Sequence, residues 1–311
     1  MKRFTALTLA GCTLLLTGCS ESAVEVRDRM FIQSIGLHED LQTELTLYPF
    51  EPAGFRIEAS GSTIPAAMEE AAVKSGRSVF MGHTELLSFD DPSLITKLSD
   101  CMEDYRLSPA CKLLYLHETE LPEDCDTTLL TDQLRQEEEN GRIPKTDLFH
   151  ILSEGQSRDG AALIPALTED GFTMSIVQGE KVLGTLSDRA VQGLCWLRGD
   201  NLPKHISVVG NEGVLDYEIS SARTELSAEI RSGIPYVTVT VHLKGAGNAE
   251  AAGSMISVLC KAAELETVKQ LKADVIGLET CLAKDCPDYL AQQDFETAKW
   301  AVEFEHVILA E

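Results

Sequence analysis

Val237-Thr238-Val239-Thr240-Val241, inside the longer run Tyr236 to Lys244, alternates two β-branched residue types without a break. Branching at Cβ suits a pleated, half-buried surface, so the segment reads as a strand. Strand patterns also surround it, at His205 to Val209, Val214 to Ser220 and Ala222 to Ile230, and the chain closes on another at Phe304 to Leu309. Between them, Glu250 to Leu278 carries the apolar spacing of one long helix, followed by a short helix near Asp288 to Gln293. The expectation for this half is an antiparallel sheet with a long helix packed on it.

Working back toward the start, Ser187-Asp188-Arg189 caps a helix to about Leu197, and Ala161 to Leu167, Phe172 to Gln178 and Lys181 to Leu186 are strand-like. Ser153 to Gly160 collects glycine, serine and charge, which predicts an exposed loop and a domain boundary. Ahead of it, Leu121 to Gly160 is more helical and charged, with one helix ending at Glu137-Glu138-Glu139-Asn140-Gly141 and a shorter one starting at Lys145-Thr146-Asp147. The first part reads β-β-α-β-α-β. It has a hairpin of a strand near Phe31 and a partner Glu44 to Pro49, then a helix from Thr63 to Ser75 stopped by Gly76. After these come a strand Arg77 to Phe89, a helix opened by Asp91-Pro92-Ser93 and running to Tyr105, and a strand Leu113 to Leu116. The predicted fold class is α+β, multidomain, with mixed and antiparallel sheets. Expected divisions are a signal segment 1–18, an N-terminal α+β region 19–160 open to a further break near 120, and a C-terminal α+β domain 161–311.

The first residues are of another kind. Met1-Lys2-Arg3 is a cationic start, Phe4 to Leu16 is apolar, and Leu16-Thr17-Gly18-Cys19 places small residues directly before a cysteine. The run is shorter than the roughly 20 residues a spanning helix needs, and it suits a secretory signal. Leu-Thr-Gly-Cys resembles the bacterial lipoprotein box, which implies cleavage before Cys19 and makes Cys19 an N-palmitoyl, S-diacylglycerol cysteine. An ordinary signal peptide with Cys19 unmodified is the plainer alternative. Cleavage takes away Lys2 and Arg3 and no acid, so the formal charge of -24 becomes -26. A surface this acidic is repelled by nucleic acid, and no nucleic-acid partner is expected.

Seven cysteines remain beyond the signal and Cys19, an odd number in no C-x-x-C spacing, so neither a disulfide framework nor a zinc site is indicated. Cys195 and Cys260 lie among apolar residues and read as small buried hydrophobes, while Cys281 and Cys286 could bridge across a turn. No histidine pair has helical ligand spacing, and there is no nucleophile elbow, phosphate loop or dinucleotide fingerprint. His83 and Glu85, two apart in the expected strand, are the one pairing that invites an enzyme reading. A histidine hydrogen-bonded to local backbone is the simpler one. No catalytic, cofactor-binding or metal-ligating residue is therefore assigned.

The blocks of the chain also have an order. Arg27-Asp28-Arg29-Met30-Phe31-Ile32-Gln33-Ser34-Ile35-Gly36-Leu37 follows the lipoprotein box, then Gly76-Arg77-Ser78-Val79-Phe80-Met81-Gly82-His83-Thr84-Glu85-Leu86-Leu87. Further on come Ala162 to Leu167 with Lys181-Val182-Leu183-Gly184-Thr185-Leu186-Ser187-Asp188, and Asp274-Val275-Ile276-Gly277-Leu278 with Pro287 and Trp300. In this order the blocks resemble the Ger(x)C family, the lipoprotein C subunits of spore germinant receptors. The resemblance implies a non-enzymatic protein held by its lipid on the outer face of the spore inner membrane. It also implies assembly with two integral-membrane subunits, of A and B type, in nutrient-triggered spore germination, with no cofactor. The rival from another class is a substrate-binding lipoprotein of an ABC-type transporter, which needs two similar lobes around a cleft; the β-rich second half does not repeat the first. Docking to partners is expected to rest on an apolar patch strengthened by the anchor, since a tethered protein needs only weak contacts.

Overall fold

A computed structural model describes residues 28–39, 43–50, 56–98, 107–117, 119, 121, 125–156, 160–168, 171–210, 213–292 and 299–310. The fold is α+β, as expected, with two mixed sheets. The large sheet is built on β1 (Arg29–Glu39), whose Ile32, Ile35 and Leu37 are buried. β2 (Thr43–Pro49) pairs antiparallel with β1, and β3 (Ile57–Gly61) antiparallel with β2. Helix α1 (Ile64–Ser75) begins where expected. Thr63 caps it by accepting from Ala66 N, Pro65 sits in its first turn, and Gly76, at φ 66°, ends it in the left-handed conformation that glycine adopts without strain.

The expected strand Arg77 to Phe89 is in fact two strands. β4 (Ser78–Phe80) and β5 (Leu86–Phe89) both run parallel to β1, and residues 81–85 loop out between them. The cause is an irregularity in β1 itself, whose register to β2 shifts between Ile32 and Ser34. There the Gln33 carbonyl accepts from Glu85 N at 2.8 Å and the Ile32 carbonyl from Thr84 Oγ1 at 3.3 Å. The helix expected from Asp91 begins as a 3₁₀ turn, Pro92–Lys97, with Asp91 accepting from Ser93 N; its continuation to Tyr105 lies outside the described residues.

β6 (Lys112–Leu116) follows, then α2 (Thr127–Glu139), capped by Asp126, and α3 (Leu148–Gly155), capped by Asp147. β7 (Ala161–Thr168) pairs parallel with β6, β8 (Gly171–Gln178) antiparallel with β7, and β9 (Lys181–Leu186) closes the edge. The sheet order is β3-β2-β1-β5-β6-β7-β8-β9, with β4 on β1. Ser153 to Gly155, expected in a loop, close helix α3, and β6 and β7 on either side of this region are parallel neighbours in one sheet. The boundary expected between 160 and 161 does not separate two sheets; the change of sheet comes after β9.

Helix α4 (Asp188–Arg198) leads into the small sheet of β10 (His205–Gly210), β11 (Gly213–Arg231), β12 (Ile234–Gly247) and β13 (Glu303–Ala310). The two strands expected at 214–220 and 222–230 are one. Its register shifts between Ile219 and Ser221, and Ser220 Oγ donates to the Lys244 carbonyl at 2.8 Å, so the serine pair makes a bulge and not a turn. β13 lies parallel to β12, so the small sheet is mixed and not wholly antiparallel. Val237, Val239, Val241 and Leu243 form its buried face under helix α5 (Ala249–Glu264).

The single long helix expected over 250–278 is also interrupted. After α5 the chain widens into a π segment, Leu265–Leu271, where Thr267 Oγ1 donates to the Ala263 carbonyl, and Lys272 takes a left-handed φ of 51°. Asp274 then accepts from the backbone N–H groups of Gly277, Leu278 and Glu279 at 2.7 to 2.9 Å and starts helix α6 (Leu278–Asp285). Asp274 to Leu278 is therefore the start of a helix, not the end of one. Helix α7 (Pro287–Gln292) follows, and the last residue expected in it lies outside the described residues.

One apolar core lies between the large sheet and α1, from Ile32, Leu45, Leu47, Phe89 and Leu113 to Ala67 and Ala71. A second joins the opposite face, through Leu114, Leu163 and Ile176, to α4, α5 and the valines of β12, and encloses Trp196 at 1% exposure. Cys260 is fully buried in it and Cys195 is fully buried on α4, as expected, and burial pushes the Cys195 thiol up to about 12. Cys281 and Cys286 carry free thiols and do not bridge; Cys281 points at the Asp285 carboxylate within its own helix.

Candidate functional site

Cys19 and the box before it lie outside the described residues. What the structure does place is the end of the molecule nearest to them. At Asp28 and Arg29 the chain joins β1, and parallel pairing sets Arg29 opposite Ser78 and Phe31 opposite Phe80. The 82–83 turn folds over this pair. Glycine lets the turn pack closely there, since a Cβ at Gly82 would come within 2.7 Å of the Phe80 ring and push it aside. His83 lies 5.9 Å from the Phe31 ring, stacked, and 5.6 Å edge-on from Phe80, and the Arg29 guanidinium sits 5.4 Å over the Phe80 ring.

His83 is thus an exposed ring held by two aromatic neighbours and not a strand-centre histidine. It does not pair with Glu85, whose carboxylate faces Arg135 at 3.6 Å. Together Arg29, Met30, Phe31, Phe50, Arg77 and His83 line a notch of about 360 Å³. Sequence reading singled out His83 with Glu85 and took in Gly82, Arg29 and Arg77 only within longer blocks, because only the parallel register brings these residues to one place.

A second concavity, about 480 Å³, lies over β1, β2, β3 and β5 on the face of the large sheet opposite the α1 core, with Lys74 of α1 reaching its rim round the β3 edge. Strand alternation places Ser34, Gly36 and His38 of β1, Glu44, Thr46 and Tyr48 of β2, Glu58 and Ser60 of β3 and Ser88 of β5 on this face. The apolar partners of these residues, such as Ile35, Leu45 and Leu87, point into the core below. Gly36 keeps the middle of the floor open, with His38 Nε2 only 3.1 Å from where its Cβ would stand.

Several charges around this floor are paired. His38 Nδ1 meets Asp90 at 2.6 Å, Arg56 meets Glu58 at 2.8 Å, and Lys74 meets Glu70 at 3.0 Å. The backbone N–H of Ser60, and then Lys74, hold the Glu70 carboxyl below its usual range, while burial pushes the Tyr48 phenol up. Ser88, 1% exposed, donates to the Ile35 carbonyl at 3.4 Å, and Ser34 Oγ is buried without a hydrogen-bond partner. Such a floor offers donors and acceptors to a small polar molecule. The His38–Asp90 pair orients an imidazole, but the buried Ser88 hydroxyl is directed at backbone. Among the described residues no group of three His, Cys, Asp or Glu side chains could hold a metal, and no helix is long and apolar enough to cross a membrane. The expectation singled out no residue of this floor. Its signal was the polar set of β1, Ser34, Gly36 and His38, at every second position.

The small sheet contributes an apolar feature of its own. At the β10–β11 turn Val209 and Val214 face each other across the ladder at 85% and 60% exposure.

No family model matches the chain, and no curated protein matches it in sequence. Among solved structures it is similar to the crystal structure of the GerBC protein, with a TM-score of 0.59 and 15% identity over 89% of this chain and 96% of that one. The likeness thus runs through both sheets, and the chain has a Ger(x)C-like fold.

Proposed function

We propose that this chain is a non-enzymatic, lipid-anchored C-type subunit of a nutrient germinant receptor, acting in spore germination. It sits on the outer face of the spore inner membrane and assembles with A-type and B-type integral-membrane subunits. The observation that carries this reading is the fold likeness to GerBC over nearly the whole of both chains. The collinear blocks from Arg27 to Trp300 and the Leu16-Thr17-Gly18-Cys19 box support it independently. The two sheets differ in strand number and order, which speaks for a receptor subunit over a transporter's two-lobed binding protein.

Anchoring follows from chemistry. Two acyl chains on the Cys19 sulfur and a third on its nitrogen bury tens of methylene groups, each contributing about 0.8 kcal/mol, so attachment is effectively permanent. Cys19→Ala removes the acceptor thiol. The expected result is a chain that is either uncleaved or released from the membrane, and spores that respond slowly or not at all to the nutrients that trigger the parent strain. Normal processing and membrane retention in the variant would overturn the anchor.

A further inference from the structure

We infer that the notch at the start of β1 is a docking site for the phosphate of an anionic phospholipid headgroup, and that it sets which end of the protein faces the bilayer. The inference rests on the anchor proposed above. Its first support is charge. In a chain with 50 acidic and 26 basic residues, Arg29 and Arg77 line one notch, and neither guanidinium makes an ion pair among the described residues. The nearest acid in the same loop, Glu85, is turned to Arg135, and Asp28 does not line the notch.

The second support is shape and chemistry. Arg29 is held over the Phe80 ring, and an arginine fork matches phosphate oxygens in a way a lysine cannot. Phe50, 39% exposed, and Phe31 give the rim apolar rings that can enter the headgroup–acyl boundary of a bilayer, with the polar-edged His83 ring beside them.

Tether length commits the site to a lipid. Arg29 lies ten residues after Cys19, so a fully extended tether spans at most about 36 Å and a coiled one much less. A tether of this length lets the notch, where the described chain begins, reach the membrane surface. Elsewhere the acidic surface is repelled by anionic lipid, so this end is selected both by attraction and by repulsion of the rest.

The experiment uses the mature lipoprotein in phosphatidylcholine vesicles and in vesicles that also contain phosphatidylglycerol, with amide hydrogen exchange followed over residues 76–84. Exchange should be about 30-fold slower with phosphatidylglycerol, the weight of two basic side chains at an anionic surface, and the difference should vanish in about 1 M salt. R29Q/R77Q should lose the protection, R29K/R77K should keep only the part that charge alone supplies, and neither should shift the melting temperature of the rest of the fold. Equal exchange in both vesicles overturns the site. Protection by inorganic phosphate with phosphatidylcholine alone would assign it to a free anion and overturn the lipid. The mass of the N-terminal peptide in the same sample reads the anchor separately. A lipidated chain without protection sinks the notch alone, and an unlipidated chain still protected by phosphatidylglycerol sinks the anchor alone.

Discussion

Gly193→Ala lowers the melting temperature by roughly 4–8 °C, although alanine is the better helix former. Gly193 is in α4, where a Cβ would stand 2.0 Å from the Leu259 carbonyl oxygen and 3.0 Å from the Ala263 side chain of α5. The neighbour is helix backbone, which cannot turn aside as a flexible side chain can. The two helices must separate by more than 1 Å, opening the core around Leu194, Ile256 and Leu259. Overpacking of this kind costs about 3 kcal/mol, well above the roughly 1 kcal/mol that alanine contributes as a helix former. At about 2–4 °C per kcal/mol this gives the stated drop. Gly155→Ala is the control. Gly155 is an exposed helix residue with nothing within 4 Å of its Cβ position, so there the same change should raise stability by about 0.5 kcal/mol. Thermal unfolding of both variants decides the matter; a neutral Gly193→Ala would mean that α4 and α5 do not cross at this point.

His306→Ala is expected to be as damaging for an electrostatic reason. His306 on β13 meets the Glu264 carboxylate at the end of α5 at 2.5 Å, and both side chains are under 10% exposed. Burial pushes the Glu264 carboxyl above its ordinary value, and the hydrogen bond from His306 opposes that shift without cancelling it. Without the imidazole a buried carboxylate is left unpaired, at a cost of about 3–5 kcal/mol. The pH dependence follows. A carboxyl whose folded value lies above its unfolded value contributes stability that is fully present below the unfolded value and lost as pH rises through the folded one. His306→Ala raises the folded value further, so the variant should approach the parent below the ordinary 4.5 and fall furthest behind it near neutrality. Glu264→Gln in the same background should recover part of the loss. Parallel melting curves at all pH values would show that Glu264 is already neutral in the parent protein.

Where local chemistry and tertiary context agree, the elements were legible before any coordinates. Val237 to Val241 is β12, and the caps at Thr63, Asp147 and Ser187 start helices as read. The failures have separate causes. β3 carries only Ile57 and Ala59 on its buried side, beside glutamate, serine and glycine, so it has almost no strand propensity and exists because β2 and α1 hold it. The break at 81–85 and the bulge at Ser220 are set by a partner strand, which a linear pattern does not contain. The end of the π segment at Lys272 is another such case, because helical spacing continues past it and the three hydrogen bonds to Asp274 restart the chain in a new direction. Both concavities assemble across strands remote in sequence. Only His83 and the polar alternation of β1 gave any advance sign of them.

The most direct test of the proposed role is purification of the intact, lipidated chain from spore inner membranes in mild detergent, with everything that accompanies it identified by mass. The expected result is two multi-pass membrane subunits in near-equal amounts with this chain, and an N-terminal peptide beginning at diacylglyceryl-Cys19. Recovery with a permease and an ATPase, or alone with a free Cys19 thiol, would contradict it.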